Sequence, residues 1–472
     1  MFRKIISYSL LFLGLHNLEA QYISGVMEYT PAPGQFINTL PWGFPGSASS
    51  IIGGVNGTMC LGTFGGRMVF RFEEPVENHP DNPFGVDFTI FGNPMNDWSE
   101  PGVVWVMKDN NGNGLPDDTW YELAGSDYHF PSTKRNFRVT YTNPGGTVAQ
   151  DVPWTDQSGN SGSIKVNTAH GQPYYPLTDS FPDIPGNEYA LTGTLITGAV
   201  DVDHPPVSQS VLRAFGYADN QLRGDPPYTV PDNPYTTEIE NSGGDGFDIS
   251  WAVDSNGEYV DLDMIHFVKV QSGVLHEGGW LGEVSTEITG AVDVPPDPNL
   301  TGQSEMVVIG DLPKLIDTTR YQLEVYVFRK GRLFSSGAVQ WNTSVDWASV
   351  DENNVLTANG TGSLVLTASL LSNPGIKASV STTINPHSTS SPDPWAGSSG
   401  ISLFPNPATE MIRLNGTREA EIFFYDPSGK LLKKAHVFVD GGTIQISDLP
   451  AGFCLVRIDT EGRTDWLKLL KQ

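Results

Sequence analysis

Short runs in which apolar and polar residues alternate recur along most of the chain, each broken off by glycine, proline, asparagine or aspartate. Met68-Val69-Phe70-Arg71-Phe72, Val86-Asp87-Phe88-Thr89-Ile90-Phe91 and Phe137-Arg138-Val139-Thr140-Tyr141 are of this kind. So are Ile249-Ser250-Trp251-Ala252-Val253 and Ile265-His266-Phe267-Val268-Lys269-Val270. A period of two puts successive side chains on opposite faces, so these runs predict half-buried antiparallel strands. Helical spacings are missing, and 51 Gly and 35 Pro among 472 residues supply turns in quantity. The expected class is all-β. Residues 21–302 predict one large β-sandwich or jelly-roll-like domain. Within it, 142–248 is rich in Pro, Gly, Asp and Asn and reads as long surface loops. Alternation resumes over 303–385, which predicts a small second sandwich, and 386–399 (PHSTSSPDPWAGSS) reads as a Pro/Ser linker. Residues 400–472 alternate again around a Pro427-Ser428-Gly429-Lys430 turn, as a third, compact sandwich would.

The first twenty residues follow a different rule. Arg3 and Lys4 precede an apolar run, Ile5 to Leu15, and Leu18-Glu19-Ala20 leads to Gln21. This is the layout of a signal peptide over 1–20, and neither that run nor any later one is long enough to predict a membrane-spanning helix. The formal net charge is −27, and residues 21–302 carry almost all of it, with 10 basic against 36 acidic residues. Such a field disfavours nucleic acid and anionic lipid headgroups as partners and favours cations. Cys60 and Cys454 fall in different expected domains, so a disulfide framework is not expected. Bound calcium is the natural substitute cross-link.

Candidate chemistry concentrates at Asp109–Asp118. The apolar run Val103-Val104-Trp105-Val106-Met107 enters this loop and Trp120-Tyr121-Glu122-Leu123 leaves it. Asp109, Asn111 and Asn113 alternate and Gly114 follows, matching the first half of an EF-hand loop, where alternate oxygens point inward around a sharp turn. Calcium is therefore the expected cofactor, with Asp109, Asn111, Asn113, the Leu115 carbonyl, Asp117 and Asp118 as ligands. Trp120 stands where an EF-hand has its bidentate Glu, so the site is not an EF-hand proper. A second acidic group, Asp245, Asp248 and Asp254, flanks Trp251, and Asp219-Asn220, Asp201 and Asp203 add loop carboxylates; a second cation site is the alternative here, and solvated loop acids are the expectation. Aromatic rings beside polar loops suit sugar faces or other flat ligands, which singles out Trp98, Trp120, Tyr121, Tyr174 and Tyr175 as ligand-binding candidates. Glu100, Glu122 and Glu283 could serve as the carboxylate pair of a glycosidase, which needs an acid and a base or nucleophile at a set separation. No G-x-S-x-G elbow or H-E-x-x-H zinc motif occurs. No catalytic residues are assigned, and a non-enzyme is the expectation.

Three resemblances add to this. Leu403-Phe404-Pro405-Asn406-Pro407, Tyr425-Asp426-Pro427-Ser428-Gly429-Lys430, Leu449-Pro450-Ala451-Gly452 and Trp466-Leu467-Lys468-Leu469 resemble the C-terminal sorting domain of the type IX secretion system. Pro405, Asn406, Pro407, Gly429, Gly452 and Lys468 are its motif positions. The resemblance implies handling by that secretion machinery, removal of the domain, and release or attachment to surface lipopolysaccharide. Ser344–Asp351, Asn354–Ala358 and Gly362–Ala368 resemble a bacterial immunoglobulin-like module. Gly65–Phe72, Gly85–Asn93, Glu100–Val104, Asp109–Ser126, His266–Val268 and Trp280–Ser285 look like a family of bacterial cell-surface proteins over about 50–295. Some members of that family accompany outer-membrane nutrient uptake, including that of cobalamin. The leading expectation is a secreted or surface-held, calcium-stabilised, non-catalytic protein that binds a glycan or other nutrient. An extracellular hydrolase, a structural or adhesive surface protein and an accessory of cobalamin uptake stand as alternatives.

Overall fold

The computed structural model describes residues 21–96, 98–201, 209–335, 338–385, 402–415, 419–426, 430–438, 442–460 and 463–471. The expected signal peptide and the 386–399 linker lie outside them. Among the described residues the elements are strands and five short 3-10 turns, as the period-two pattern requires.

Six strands form the central sheet, in the order Gly25–Thr30, Arg67–Arg71, Phe267–Ser272, Gly102–Met107, Trp120–Leu123, Ala252–Val253, every pair antiparallel. A three-stranded sheet, Asp245–Phe247, Phe88–Phe91 and Gly290–Asp293, shares its core. Met68, Phe70, Val104, Val106, Val268 and Val270 meet Phe88, Ile90, Phe247 and Ala291 there. Alternation predicted this face. Gly102–Met107 and Trp120–Leu123 pair as a hairpin, Trp105 opposite Glu122 and Met107 opposite Trp120, so Asp109–Asp118 is its connecting loop.

Two findings differ from the sequence reading. The stretch 142–248 is not a set of surface loops. Lys134–Thr142, Val152–Asp156, Ser161–Ile164 and Glu188–Leu195 form a four-stranded sheet over a second core, built from Phe64, Phe137, Tyr141, Tyr174, Tyr175 and Tyr189 among others. In addition, hydrophobic contact crosses the expected boundary at 302/303. Glu305–Ile309, Val325–Arg329 and Arg332–Ser335 form a sheet buried on both faces. Val308 and Phe328 join the core of the first domain, while Val307, Val325 and Val327 pack with Ala368, Leu370 and Ile376. The indole N–H of Trp251 donates to the Lys330 carbonyl at 2.9 Å, and Phe130 stacks on Tyr326 with centroids 5.0 Å apart.

Beyond this sheet, Leu315–Ile316, Asn373–Ile384, Gly362–Leu370 and Val339–Thr343 face a three-stranded sheet, Arg320–Gln322, Val355–Ala358 and Ala348–Val350, across a small core. The last unit is likewise a two-sheet sandwich, of three and four strands, whose core draws only on residues between Leu403 and Leu469.

Candidate functional site

The predicted loop closes on itself through its side chains. Asp109 accepts from the backbone N–H groups of Gly112 and Gly114 at 2.7 and 2.8 Å, which hold its carboxyl below the usual range. The carbonyl oxygens of the Asn111 and Asn113 side chains accept from Asn113 N and Leu115 N at 2.9 and 2.8 Å. Asp117 takes both asparagine amides, and Asp118 accepts from Asn110 N at 2.9 Å. The loop thus gathers all the named side chains on one exposed turn, while Leu115 presents an exposed apolar side chain. Among the described residues, three acidic side chains converge closely enough to share one ion elsewhere, not here.

The three are Glu100, Asp219 and Glu287; Glu100 and Glu287 line a pocket of about 350 Å³, and Asp219 lies buried behind them. The pocket walls are Phe36, Trp42, Met95 and Trp98, and the Glu283 carboxylate lines it as well. Strand pairing sets Cys60 opposite Glu287. The bridge between Gly102 and Ala218 brings Asp219 beside Glu100, whose N–H donates to the Asp219 carbonyl at 2.9 Å. Asp219 sits at φ 56°, in the left-handed region that Asp tolerates better than most residues. Its two carboxylate oxygens accept from Asn93 N at 2.8 Å and Glu287 N at 2.7 Å. Gly92 leaves room for that carboxylate, since a Cβ there would strike Asp219 Oδ1. Glu100 accepts from Ser285 N at 3.1 Å, and Trp98 lines the pocket beside it. Glu283 Oε1 accepts from Gln35 N at 2.7 Å, whereas its Oε2 is buried with no partner. One oxygen each of Glu100, Asp219 and Glu287 lies within 4.8 Å of the others.

Burial pushes all four carboxyls upward, and their mutual repulsion adds to it for Asp219, Glu283 and Glu287. Among the described residues no Lys, Arg or His lines the pocket. Two buried acids elsewhere have such a neighbour, whereas Asp87 and Asp245 are held by backbone N–H groups. Asp127 is paired with Arg213 at 2.5 Å, and Glu122 feels Arg135 and Lys269. A larger cavity, about 870 Å³, runs along the junction with the doubly buried sheet, but its Arg213 is committed to Asp127 and Asp311.

The other named aromatics are not at this pocket. Tyr174 and Tyr175, expected at the surface, are each 1 % exposed in the second core, and Tyr175 donates to the Pro185 carbonyl at 2.6 Å. Their hydroxyls are satisfied by backbone, so they are packing residues. Trp120 and Trp105 sandwich the Lys269 ammonium, 4.5 Å from each ring, and Tyr121 packs against the main core. Of the three weighed glutamates, Glu100 and Glu283 share the pocket, while Glu122 bonds Thr194 on the central sheet. Asp245 accepts from Asn220 N and Gln221 N, Asp248 caps Ser250, and Asp254 closes its own turn. Asp203 and the Asp201 side chain lie outside the described residues. Asp219 was named from sequence only as a loop carboxylate grouped with Asp245, Asp248 and Asp254, and Glu287 was not singled out. Each sits in an ordinary alternating or turn context, and only long-range pairing makes them neighbours.

Residues 402–472 match the family of secretion system C-terminal sorting domains. The chain is therefore a type IX secretion substrate, exported to the outer cell surface. In this domain Asn406 Oδ1 accepts from Leu470 N at 2.9 Å, Pro405 and Pro407 flank it, and Gly452 takes φ 126°. Gly429 and the Lys468 side chain lie outside the described residues. No curated protein matches the chain. Among solved structures, extracellular domains 3–5 of Drosophila OTK are similar at 13% identity, over 46% of this chain and 83% of that one, with a TM-score of 0.16. A biofilm-associated protein BSP domain follows at 9% identity, covering 97% and 68%, with a TM-score of 0.13. Domains 1–6 of the surface layer protein SbsC are 12% identical, covering 86% and 65%, with a TM-score of 0.16. Scores this low establish no shared arrangement. Among the described residues no helix is long and apolar enough to cross a membrane.

Proposed function

We propose that this surface protein is a non-catalytic binding protein whose ligand, a glycan or other nutrient, enters the pocket walled by Phe36, Trp42 and Trp98. The supporting observation is that aromatic rings and carboxylates converge on one cavity of about 350 Å³, a size and lining suited to a small polar ligand with flat faces. Trp42 and Met95 are 38 % and 51 % exposed at its rim, so a ligand would cover apolar surface now in water. The loop Asp109–Asp118 serves in this reading as a structural calcium site that stiffens the hairpin. The test is a thermal-shift screen of the full mature chain against glycans and cobalamin, with and without calcium. A ligand that binds the folded state raises the midpoint, by about 2.7 kcal/mol of stability at one hundred times its Kd. Trp42→Ala should abolish the rise, and Asp109→Asn should remove the part of the calcium-dependent stabilisation that the loop contributes. Turnover of a polysaccharide by the wild type would move the hydrolase reading first, since Glu100 and Glu283 share the pocket.

A further inference from the structure

The pocket floor holds more negative charge than its surroundings balance. Glu100, Asp219 and Glu287 bring one oxygen each within 4.8 Å of the others. Glu283, 2 % exposed on the same pocket, keeps Oε2 without a hydrogen-bond partner. Leaving such an oxygen buried and unpaired is costly, so native structures usually give it a proton donor, a water or an ion. Among the described residues no basic side chain lines the pocket to do so.

We propose that Glu100, Asp219 and Glu287, with Glu283 on the adjoining wall, bind a hard divalent cation, calcium, at the floor of the aromatic pocket. The donor set is all oxygen. Calcium takes six to eight oxygens at about 2.3–2.6 Å, so ligands on opposite sides of one ion stand about 5 Å apart, which these three oxygens satisfy. The nearby thiol, Cys60 Sγ, is engaged with Ser285 Oγ at 2.9 Å, and the Met95 thioether lies at the half-exposed rim. The backbone N–H groups that bond Asp219, Glu100 and Glu283 occupy one lone pair per oxygen and orient the carboxylates, leaving the second lone pair for a metal. This site is separate from the Asp109–Asp118 loop and does not depend on the pocket's ligand. Coordination positions that the protein leaves open would be filled by water or by ligand hydroxyls; only that last point rests on the proposed function.

Terbium, a hard oxygen-seeking ion, tests it on the full mature chain without any organic ligand. The Trp98 indole lines the same pocket as Glu100 and Glu287 and so lies within sensitising distance. Sensitised terbium emission, displaced by calcium, is expected in the wild type. Trp98→Phe should lower the emission more than it lowers uptake measured by equilibrium dialysis. Glu287→Gln and Asp219→Asn should weaken uptake at this site by about tenfold or more. Asp109→Asn should leave the Trp98-dependent signal unchanged. The proposal is overturned if the chain takes up no cation, if Glu287→Gln binds like the wild type, or if Asp109→Asn alone removes the signal. The Trp98→Phe arm keeps every carboxylate, so it decides the matter even where a charge variant does not fold.

Discussion

Glu122 shows how a single buried acid ties stability to pH. It is 7 % exposed, Thr194 Oγ1 donates to it at 2.7 Å, and burial pushes it up to about 7 despite Arg135 and Lys269. Between about 4.5 and 7 the folded chain holds a proton that the unfolded chain releases, so this contribution is whole below that window and lost as pH rises through it. Glu122→Gln should therefore flatten the decline in thermal midpoint between pH 4.5 and 7, measured in chelator. Asp245, pushed up to about 8, acts in the same direction in both proteins. The sequence offered Glu122 beside Glu100 and Glu283 as equal candidates, because separation in space is not written in residue type. Tyr174 and Tyr175 misled for a related reason. Proline- and glycine-rich surroundings look solvated, yet a tyrosine can bury its ring when its hydroxyl finds a backbone carbonyl, as Tyr175 does at Pro185.

At the scale of elements, the hairpin around Asp109–Asp118 was legible because an apolar run enters the loop, an aromatic run leaves it, and the loop itself consists of turn formers. The sheet of Lys134–Thr142, Val152–Asp156, Ser161–Ile164 and Glu188–Leu195 was only partly legible. Its first strand alternates, but Val152-Pro153-Trp154-Thr155-Asp156 and Ser161-Gly162-Ser163-Ile164 are too short and polar to stand out. The doubly buried sheet had a signal that went unused: Met306-Val307-Val308-Ile309 and Val325-Tyr326-Val327-Phe328 are apolar at successive positions, as strands covered on both faces are. Its hairpin turn rests on Trp251. Gly331 takes φ 67°, and a Cβ there would collide with the Trp251 indole. Gly331→Ala should cost at least about 1–3 kcal/mol from the backbone conformation alone. Denaturant unfolding followed by tryptophan fluorescence would measure it.

On the scale of the whole molecule, the sorting domain and the aromatic pocket belong to separate units. Among the described residues, the sorting domain's core includes none from the rest of the chain. Deleting 402–472 should leave the melting midpoint of the remainder unchanged while the protein fails to reach the outer surface, as cell fractionation would show. That modularity was plain in the sequence, since the motifs around Pro405–Pro407 and Gly452 are local. The opposite holds at 302/303, where resemblance marks one boundary and packing ignores it. Recombination that transplanted 303–385 into another gene would leave Trp251 and Phe215 bare in the donor and Phe328 bare in the recipient. As units of inheritance, then, residues 21–385 travel together, and the place where this gene can trade cassettes with its neighbours falls after Asn385.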